Sequence, residues 1–345
     1  MLVVRAIREQ DLDGLMALAE QVGSGMTTLK PDLKTLGQRV EVACASFAEQ
    51  IAPPQRDYVF VMEDTSIGKV VGVCAIKSAV GLDEPFYNYR IGTLVHSSKE
   101  LKVFSRMDTL YLSNDLTGCA ELCSLFLHPD YRNGTNGKLL SKSRFMFIAQ
   151  FPHLFSEKLI AEMRGFQRAD GRSPFWESLG RHFFKMEFDR ADDLTSLGKK
   201  SFIAELMPRH PLYVAYLPQE AQDVIGRVHV DTAPARRLLE QEGMYYEGYV
   251  DIFDAGPVLQ ARVSELRALR ESELAIIDTA ASAPQGDNPM LVATTRMQDF
   301  RVIAAHAHPH RGRLAVQPEQ QQLLACRAGD AVRAMPLNPK KVFHA

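Results

Sequence analysis

No stretch of the 345 residues approaches eighteen apolar positions in a row, and the opening MLVVRAIREQ turns charged at once. A membrane-spanning helix needs about twenty apolar residues, and a secretory leader needs an apolar core behind its charged start. Neither is expected, so the expected address is the cytoplasm. Neither sign of charge is in excess: 40 Lys and Arg face 42 Asp and Glu, for a net charge of -2. Without a basic surface or an acidic tail, nucleic acid and membrane both drop out as expected partners. Cysteine is scarce and odd in number, five in all, at positions 44, 74, 119, 123 and 326, which excludes a disulfide framework. Cys119 and Cys123 stand four apart, but no second Cys or His pair with matching spacing follows them. Alternating histidines in HAHPH (306–310) share one face if the segment is extended, yet no Cys, Asp or Glu lies near them in sequence. No metal is expected.

What is present suffices for a full-sized globular protein of two or three modules, with 46% hydrophobic and 24% charged residues. LVVRAI reads as a strand, and the following segment carries Leu12, Leu15, Ala19 and Val22 at helical spacing. GSGMTT (23–28) has no periodicity and is expected as a loop, after which PDLKTLGQRVEVACASFAEQ returns to a helical pattern. YVFVMED and GKVVGVCAIKSAVG form an expected antiparallel hairpin, and residues 81–118 read as a further inserted hairpin. CAELCSLFLHPDYR, KLIAEMRG and GRVHV are expected strands; NGKLLSKSRFMFIAQ, SPFWESLGRHFFKM and DTAPARRLLEQEG are expected helices. Beyond about 262 the pattern shifts to short β runs broken by Gly, Pro and Asn. The expected division is 1–200 for a ligand-binding α/β domain, 201–261 for a segment completing it, and 262–345 for a separate, small, barrel-like β-rich module.

The stretch LFLHPDYRNGTNGKLLSKSRF carries the chemistry, because an alternating strand runs through a Gly- and Asn-rich turn into a basic helix start. Such a turn aims unpaired backbone N–H groups and the positive end of a helix dipole at one place. Gly134 and Gly137 remove Cβ atoms from the approach, and Arg132, Lys138 and Lys142 add cationic donors. On the residues alone, a phosphate cradle and an ordinary capped turn both remain open.

Residues Leu125 to Leu140 resemble the acyl-CoA-binding motif of the GNAT superfamily of acyltransferases, a strand followed by an R/Q-x-x-G-x-G/A loop and a helix. Arg132 and Gly137 are in register with it, whereas Thr135 replaces its first glycine. SPFWESLG (173–180) is similar to the later helix pattern FYxxLG of the same superfamily. A closer resemblance is to the arginine N-succinyltransferases, carried by RAIREQDLDGLMALAEQVGSGMTTLKPD, by CAELCSLFLHPDYRNGTNGKLLSKSRFMFIAQF, by EMRGFQRADGRSPFWESLGRHFFKMEF and by GRVHVDTAPARRLLEQEGM.

That resemblance implies an α/β (α+β) fold with a GNAT-like mixed twisted sheet flanked by helices. It implies succinyl-CoA as cosubstrate, with no permanently bound cofactor, and L-arginine as acceptor in an arginine-degrading pathway. Transfer to ornithine or another amine, and a non-catalytic CoA-binding subunit, stay open as alternatives. A homo-oligomer or a heteromer with a related subunit is implied too. Leu125 is implied to contact succinyl-CoA, with Leu127, Arg132, Gly134, Gly137 and Lys138 beside it, and His229 is implied as proton donor. Where many GNAT enzymes carry a tyrosine, this chain has Trp176, whose indole cannot act as an acid at neutral pH, and His229 is suited to the task. Glu121, four residues before Leu125, is expected on the same strand face as a general base or as an inner structural carboxylate. The GSGMTT loop is a candidate wall for the amino-acid acceptor.

Overall fold

The computed structural model describes residues 1–22, 26–196, 201–208, 210–278 and 288–339. Its strands are β1 (Leu2–Ala6), β2 (Asp57–Asp64), β3 (Lys69–Lys77), β4 (Asn88–Ser98), β5 (Val103–Ser113), β6 (Ala120–Leu127), β7 (Lys158–Glu162), β8 (Leu212–Tyr213), β9 (Tyr245–Asp251), β10 (Pro257–Arg262), β11 (Glu273–Ile277), β12 (Met290–Thr294), β13 (Arg301–Ala305), β14 (Arg313–Leu314) and β15 (Ala331–Pro336). The helices are α1 (Leu12–Ala19), α2 (Leu33–Phe47), α3 (Asn136–Gln150), α4 (Pro174–Ser178), α5 (Gly180–Phe184), α6 (Phe188–Ser196), α7 (Ser201–Leu206), α8 (Gln219–Gln222), α9 (Ala233–Gln241), α10 (Arg267–Glu271) and α11 (Pro318–Leu324).

These strands join one sheet in the order β14-β11-β15-β12-β13-β1-β2-β3-β6-β7-β10-β9-β4-β5-β8. Two pairs, β6–β7 and β11–β14, are parallel, and the remaining named pairs are antiparallel. The sheet is mixed, as expected. The β-rich tail is continuous with it rather than set apart, because β13 hydrogen-bonds to β1 through Val4↔Val302 and Arg5↔Arg301.

Helices cover both faces. On one, Leu15, Leu18, Leu36, Val40 and Ala43 of α1 and α2 meet Val59, Val61, Val73 and Ala75 of β2 and β3. The apolar positions recur every three or four residues along α2, and Asp32 caps it by accepting the Thr35 N–H (2.8 Å). On the other face, α3 is buried on all sides from Leu139 to Ala149, including Lys142 and Arg144. Strands β6, β3, β1, β13 and β12 of the sheet pack against it, and α9 and α10 add further cover. A helix enclosed in this way carries no amphipathic stripe.

Two expected elements change. GRVHV forms no strand: Gly226 takes a left-handed turn (φ 74°), a single bridge joins Gly165 to Val228, and His229 already caps the next helical turn. Too few residues remain between turn and cap for a ladder to propagate. SPFWESLGRHFFKM breaks at Leu179 (φ -132°, ψ -70°) into α4 and α5. HAHPH lies beyond the last residue of β13, Ala305, so its histidines do not line a strand face. Among the described residues no helix is long and apolar enough to cross a membrane.

Candidate active site

β6 and β7 are hydrogen-bonded only at Ala120↔Leu159 and Glu121↔Ile160, although β6 runs on to Leu127 and β7 to Glu162. Past those pairs the ladder between the two strands ends. On its other edge β6 bulges against β3: Val73 faces Phe126 and Ala75 faces Cys123, so Cys74 alone opposes Ser124 and Leu125. Ser124 adopts φ 54°, a left-handed conformation that a serine needs support to hold.

Arg39 of α2 supplies that support. Its Nη1 donates to Ser124 Oγ (2.8 Å) and to the Thr28 carbonyl (2.5 Å), and Asp57 accepts from its Nε (2.8 Å). Ser124 Oγ also donates to Thr28 Oγ1 (2.8 Å), tying the chain just after the GSGMTT glycines to the bulge. Residues 23–25 of that expected acceptor loop lie outside the described residues. Nothing in the local sequence singles out Arg39 or Ser124.

The bulge overturns the expected common face of Glu121 and Leu125. Ala120, Leu122, Leu125 and Leu127 all contact the core on the α3 side, whereas Cys123 and Phe126 pack under α1 and α2. Glu121 alternates with Ala120 and Leu122 and therefore faces away from Leu125, because one extra residue inverts the strand's phase. Register places Glu121 opposite Lys77 of β3, itself opposite Asp57 of β2. Burial lowers the Lys77 ammonium, but Glu121, Cys123 and Asp57 more than offset this and leave its pKa raised.

Beyond β6, Arg132 turns back so that its Nε donates to the Leu127 carbonyl (2.8 Å) and its guanidinium lies over Phe126, 5.4 Å from the ring centre. Gly134 takes the left-handed position (φ 53°), so the Thr135 that replaces the motif glycine keeps an ordinary negative φ of -104°. Thr135 makes no side-chain cap on α3, and a Cβ at Gly134 or Gly137 would meet nothing within 4 Å. Room is thus left beside both glycines at the helix start, as an anion there requires. Lys138 reaches Asn338 Oδ1 (2.7 Å) of the tail. Lys142 cannot serve the turn: it is fully buried one turn further on, paired with Glu242 (2.8 Å) and bonded to the Leu337 carbonyl (2.9 Å).

His229 sits where the line of β7 continues past Glu162, its N–H donating to the Arg164 carbonyl (2.8 Å). Its Nδ1 accepts the Asp231 N–H (3.2 Å), which assigns the proton of the neutral ring to Nε2. Burial, helped by the Arg164 charge and opposed by Asp231, holds its pKa below 6.5. The neighbouring Gly165 N–H is held by Asp254 Oδ2 (2.7 Å), and Asp254 Oδ1 takes the Gly256 N–H (2.8 Å). Enclosure, with Asp251 alongside, raises the Asp254 pKa well above its ordinary value. Trp176 is fully buried, stacked on Phe184 and donating to the Met186 carbonyl (3.2 Å). It belongs to the core. The Tyr246 hydroxyl, with no partner among the described residues and a pKa pushed up to about 12 by burial, had no signal in the sequence.

Residues 2–268 match the family described as arginine N-succinyltransferase beta subunit, and residues 270–336 match its C-terminal domain. An arginine N-succinyltransferase of Enterobacter sp. (strain 638) is 51% identical over 341 residues, 99% of each chain. The arginine N-succinyltransferase subunit beta of Pseudomonas aeruginosa is likewise 51% identical over 99% of each chain. Among solved structures, arginine/ornithine succinyltransferase subunit AI from Pseudomonas aeruginosa superposes with a TM-score of 0.89 at 32% identity, covering 98% of this chain and 99% of that one. The GNAT-like acyltransferase architecture expected from Leu125 to Gly137 is therefore the fold of this chain, an acyltransferase that belongs to the arginine N-succinyltransferase beta subunit family.

Proposed function

We infer that this chain transfers the succinyl group of succinyl-CoA to the α-amine of L-arginine, the entry step of an arginine-degrading route. The observation that carries the reading is identity of 51% across 99% of a relative bearing that activity's name. The early end of the β6–β7 ladder and the open turn at Gly134 and Gly137 are what a thioester and its pyrophosphate need. Arginine's guanidinium stays protonated, with a pKa of about 12.5–13.8, whereas its α-amine titrates near 8 and is the available nucleophile.

Attack forms the C–N bond and a tetrahedral oxyanion, which a backbone N–H in Leu125–Leu127 stabilises. The nitrogen that has added sheds its proton to the neutral His229 ring, collapse breaks the C–S bond, and the imidazolium so formed gives that proton to the leaving thiolate. Protonated His229 would set its Nδ1–H beside the Asp231 carboxylate, 3.6 Å away, and leave Nε2–H as the donor for the sulfur. Its depressed pKa makes the imidazolium a stronger acid than a thiol of pKa about 8.5, so transfer runs downhill. Glu121, in register with Lys77 and one of the charges that raise its pKa, serves as the counter-ion of that ammonium. Leu125, Leu127, Arg132, Gly134, Gly137 and Lys138 border the CoA end.

Steady-state assays pairing succinyl-CoA or acetyl-CoA with arginine, ornithine and lysine test the reading. Turnover with acetyl-CoA alone, or with ornithine in preference to arginine, would displace it. The Pseudomonas aeruginosa relative is named a subunit, which favours a second reading in which the chain works within a heteromer. Turnover by the purified chain, with its mass measured by light scattering, separates the two.

A further inference from the structure

Next to His229, two hydrogen-bond donors lack an acceptor among the described residues. Arg164 Nε and Gln167 Nε2 are both shut away from solvent with no partner among the described residues. An Nη2–H of Arg164 donates to Gln167 Oε1, which assigns the carboxamide orientation and leaves the –NH2 end as the unused one. Gln167 is only 6% exposed, and among the described residues Arg164 has no ion pair. Leaving such groups unmet is costly in a fold that elsewhere gives enclosed cations acceptors, as in the Arg5–Asp11 and Lys142–Glu242 bridges and the Ser141 carbonyl and hydroxyl on Arg144.

The position is built rather than incidental. The Gly165↔Val228 bridge and the Asp254 carboxylate on the Gly165 N–H clamp the backbone on one side of Arg164. A Cβ at Gly165 would come within 2.5 Å of the Asp254 carbonyl, so the two segments meet backbone to backbone. The Arg164 carbonyl in turn holds His229. Nε and Nη2 lie on one edge of the guanidinium fork, the edge that matches a carboxylate.

We propose that Arg164 and Gln167 form a carboxylate-binding subsite adjoining His229. The proposal rests on the function inferred above, in which both substrates carry a carboxylate a few bonds from the reacting atoms. One is the α-carboxylate of the amino acid, and the other is the far end of the succinyl group. The Arg164 charge also contributes, after burial, to the depressed pKa of His229.

Arg164→Gln, Arg164→Lys and Gln167→Leu in the full chain separate the two sources. Each is assayed with arginine against agmatine, which keeps the amine and guanidinium but lacks the carboxylate, and with succinyl-CoA against acetyl-CoA. Arg164→Gln is expected to lower kcat/KM on the order of 10- to 100-fold for the substrate whose carboxylate it binds. The counterpart lacking that carboxylate should change by about threefold at most, and Arg164→Lys should recover part of the loss. A fall confined to arginine assigns the α-carboxylate, and one confined to succinyl-CoA assigns the donor. Equal losses across all pairs, or none, overturn the proposal. Where Arg164→Gln does not fold, Arg164→Lys and Gln167→Leu give the same comparison. Failure of the wild-type chain to use arginine and succinyl-CoA would instead strike the inferred function, and would be seen before any variant is made.

Discussion

Glu242 holds two buried cations at once, and its replacement by glutamine gives a quantitative test of how the tail is fastened to α3. Its Oε1 lies 2.8 Å from Lys142 Nζ and 2.8 Å from Arg267 Nη2, and Arg267 Nε sits 3.2 Å from both of its oxygens. Glu242 and Lys142 are wholly enclosed, and burial lowers the Lys142 ammonium below its ordinary pKa despite Glu242. The remaining donors reach the end of β15 and the residue after it: Arg267 Nη1 to the Pro336 carbonyl (3.1 Å) and Lys142 Nζ to that of Leu337. Glu242→Gln keeps the shape but leaves the enclosed Lys142 without its carboxylate, while Arg267 retains Glu271 (3.0 Å), for a cost of about 3–5 kcal/mol. For 345 residues at about 2.1 cal/mol/K each, the unfolding entropy is roughly 0.7 kcal/mol/K, so Tm should drop by about 4–7 °C. Lys142→Met should cost less, because Arg267 still neutralises Glu242. Thermal unfolding followed by circular dichroism measures both. A Glu242→Gln melt within about 1 °C of wild type, or a larger loss in Lys142→Met, would refute the ranking of charges behind the estimate.

Three more expectations follow from the site. His229→Ala should lower kcat on the order of 10²- to 10⁴-fold with KM for succinyl-CoA little changed. His229→Gln retains an N–H near Nε2, and recovery of activity in it would reduce the histidine's role to hydrogen bonding. Because its folded pKa lies below the unfolded value of about 6.5, the unfolded chain binds that proton first, and stability should decline as pH falls from about 6.5 toward the folded pKa. An NMR titration placing the His229 midpoint above 6.5 would contradict this sign. Asp254→Asn should destabilise the chain by about 1–3 kcal/mol, since its –NH2 would oppose one of the two backbone N–H groups the carboxylate accepts. It should also lower kcat by displacing Arg164 and His229, and wild-type melting with unchanged kcat would dismiss the clamp.

The hairpin of β2 and β3, the helix α3 and the turn around Gly134 were legible because local pattern and turn chemistry agree with their tertiary setting. Glu121 and Leu125 were placed on one face by simple alternation, and no residue in AELCSLF announces that Ser124 will take a positive φ; Arg39, 85 residues earlier, stabilises it. GRVHV alternates well enough for a strand, yet Gly226 and the His229 cap sit too close together for one. Lys142 looked available to a phosphate because the groups that bury it come from far downstream, 195 residues away in the case of Leu337. Long-range contacts of this kind leave no periodic trace.

The same contacts account for the length of the chain. Each part of the site is fastened by a segment remote in sequence: the β6 bulge by Arg39 and Thr28, the start of α3 by Asn338 and Leu337, and the end of β7 by Asp254. The strand, turn and helix proposed to border CoA are local in sequence, from Ala120 to Gln150, but their relative placement is not. Since the residue after β15 accepts from Lys142 of α3 and β15 joins β1 through β12 and β13, the tail braces the sheet and α3 together. A chain ending before the tail would expose the outer face of α3, with its apolar side chains and the Lys142 charge, to water. The β-rich tail is therefore part of the acyltransferase core in physical terms, whatever boundary its sequence suggests.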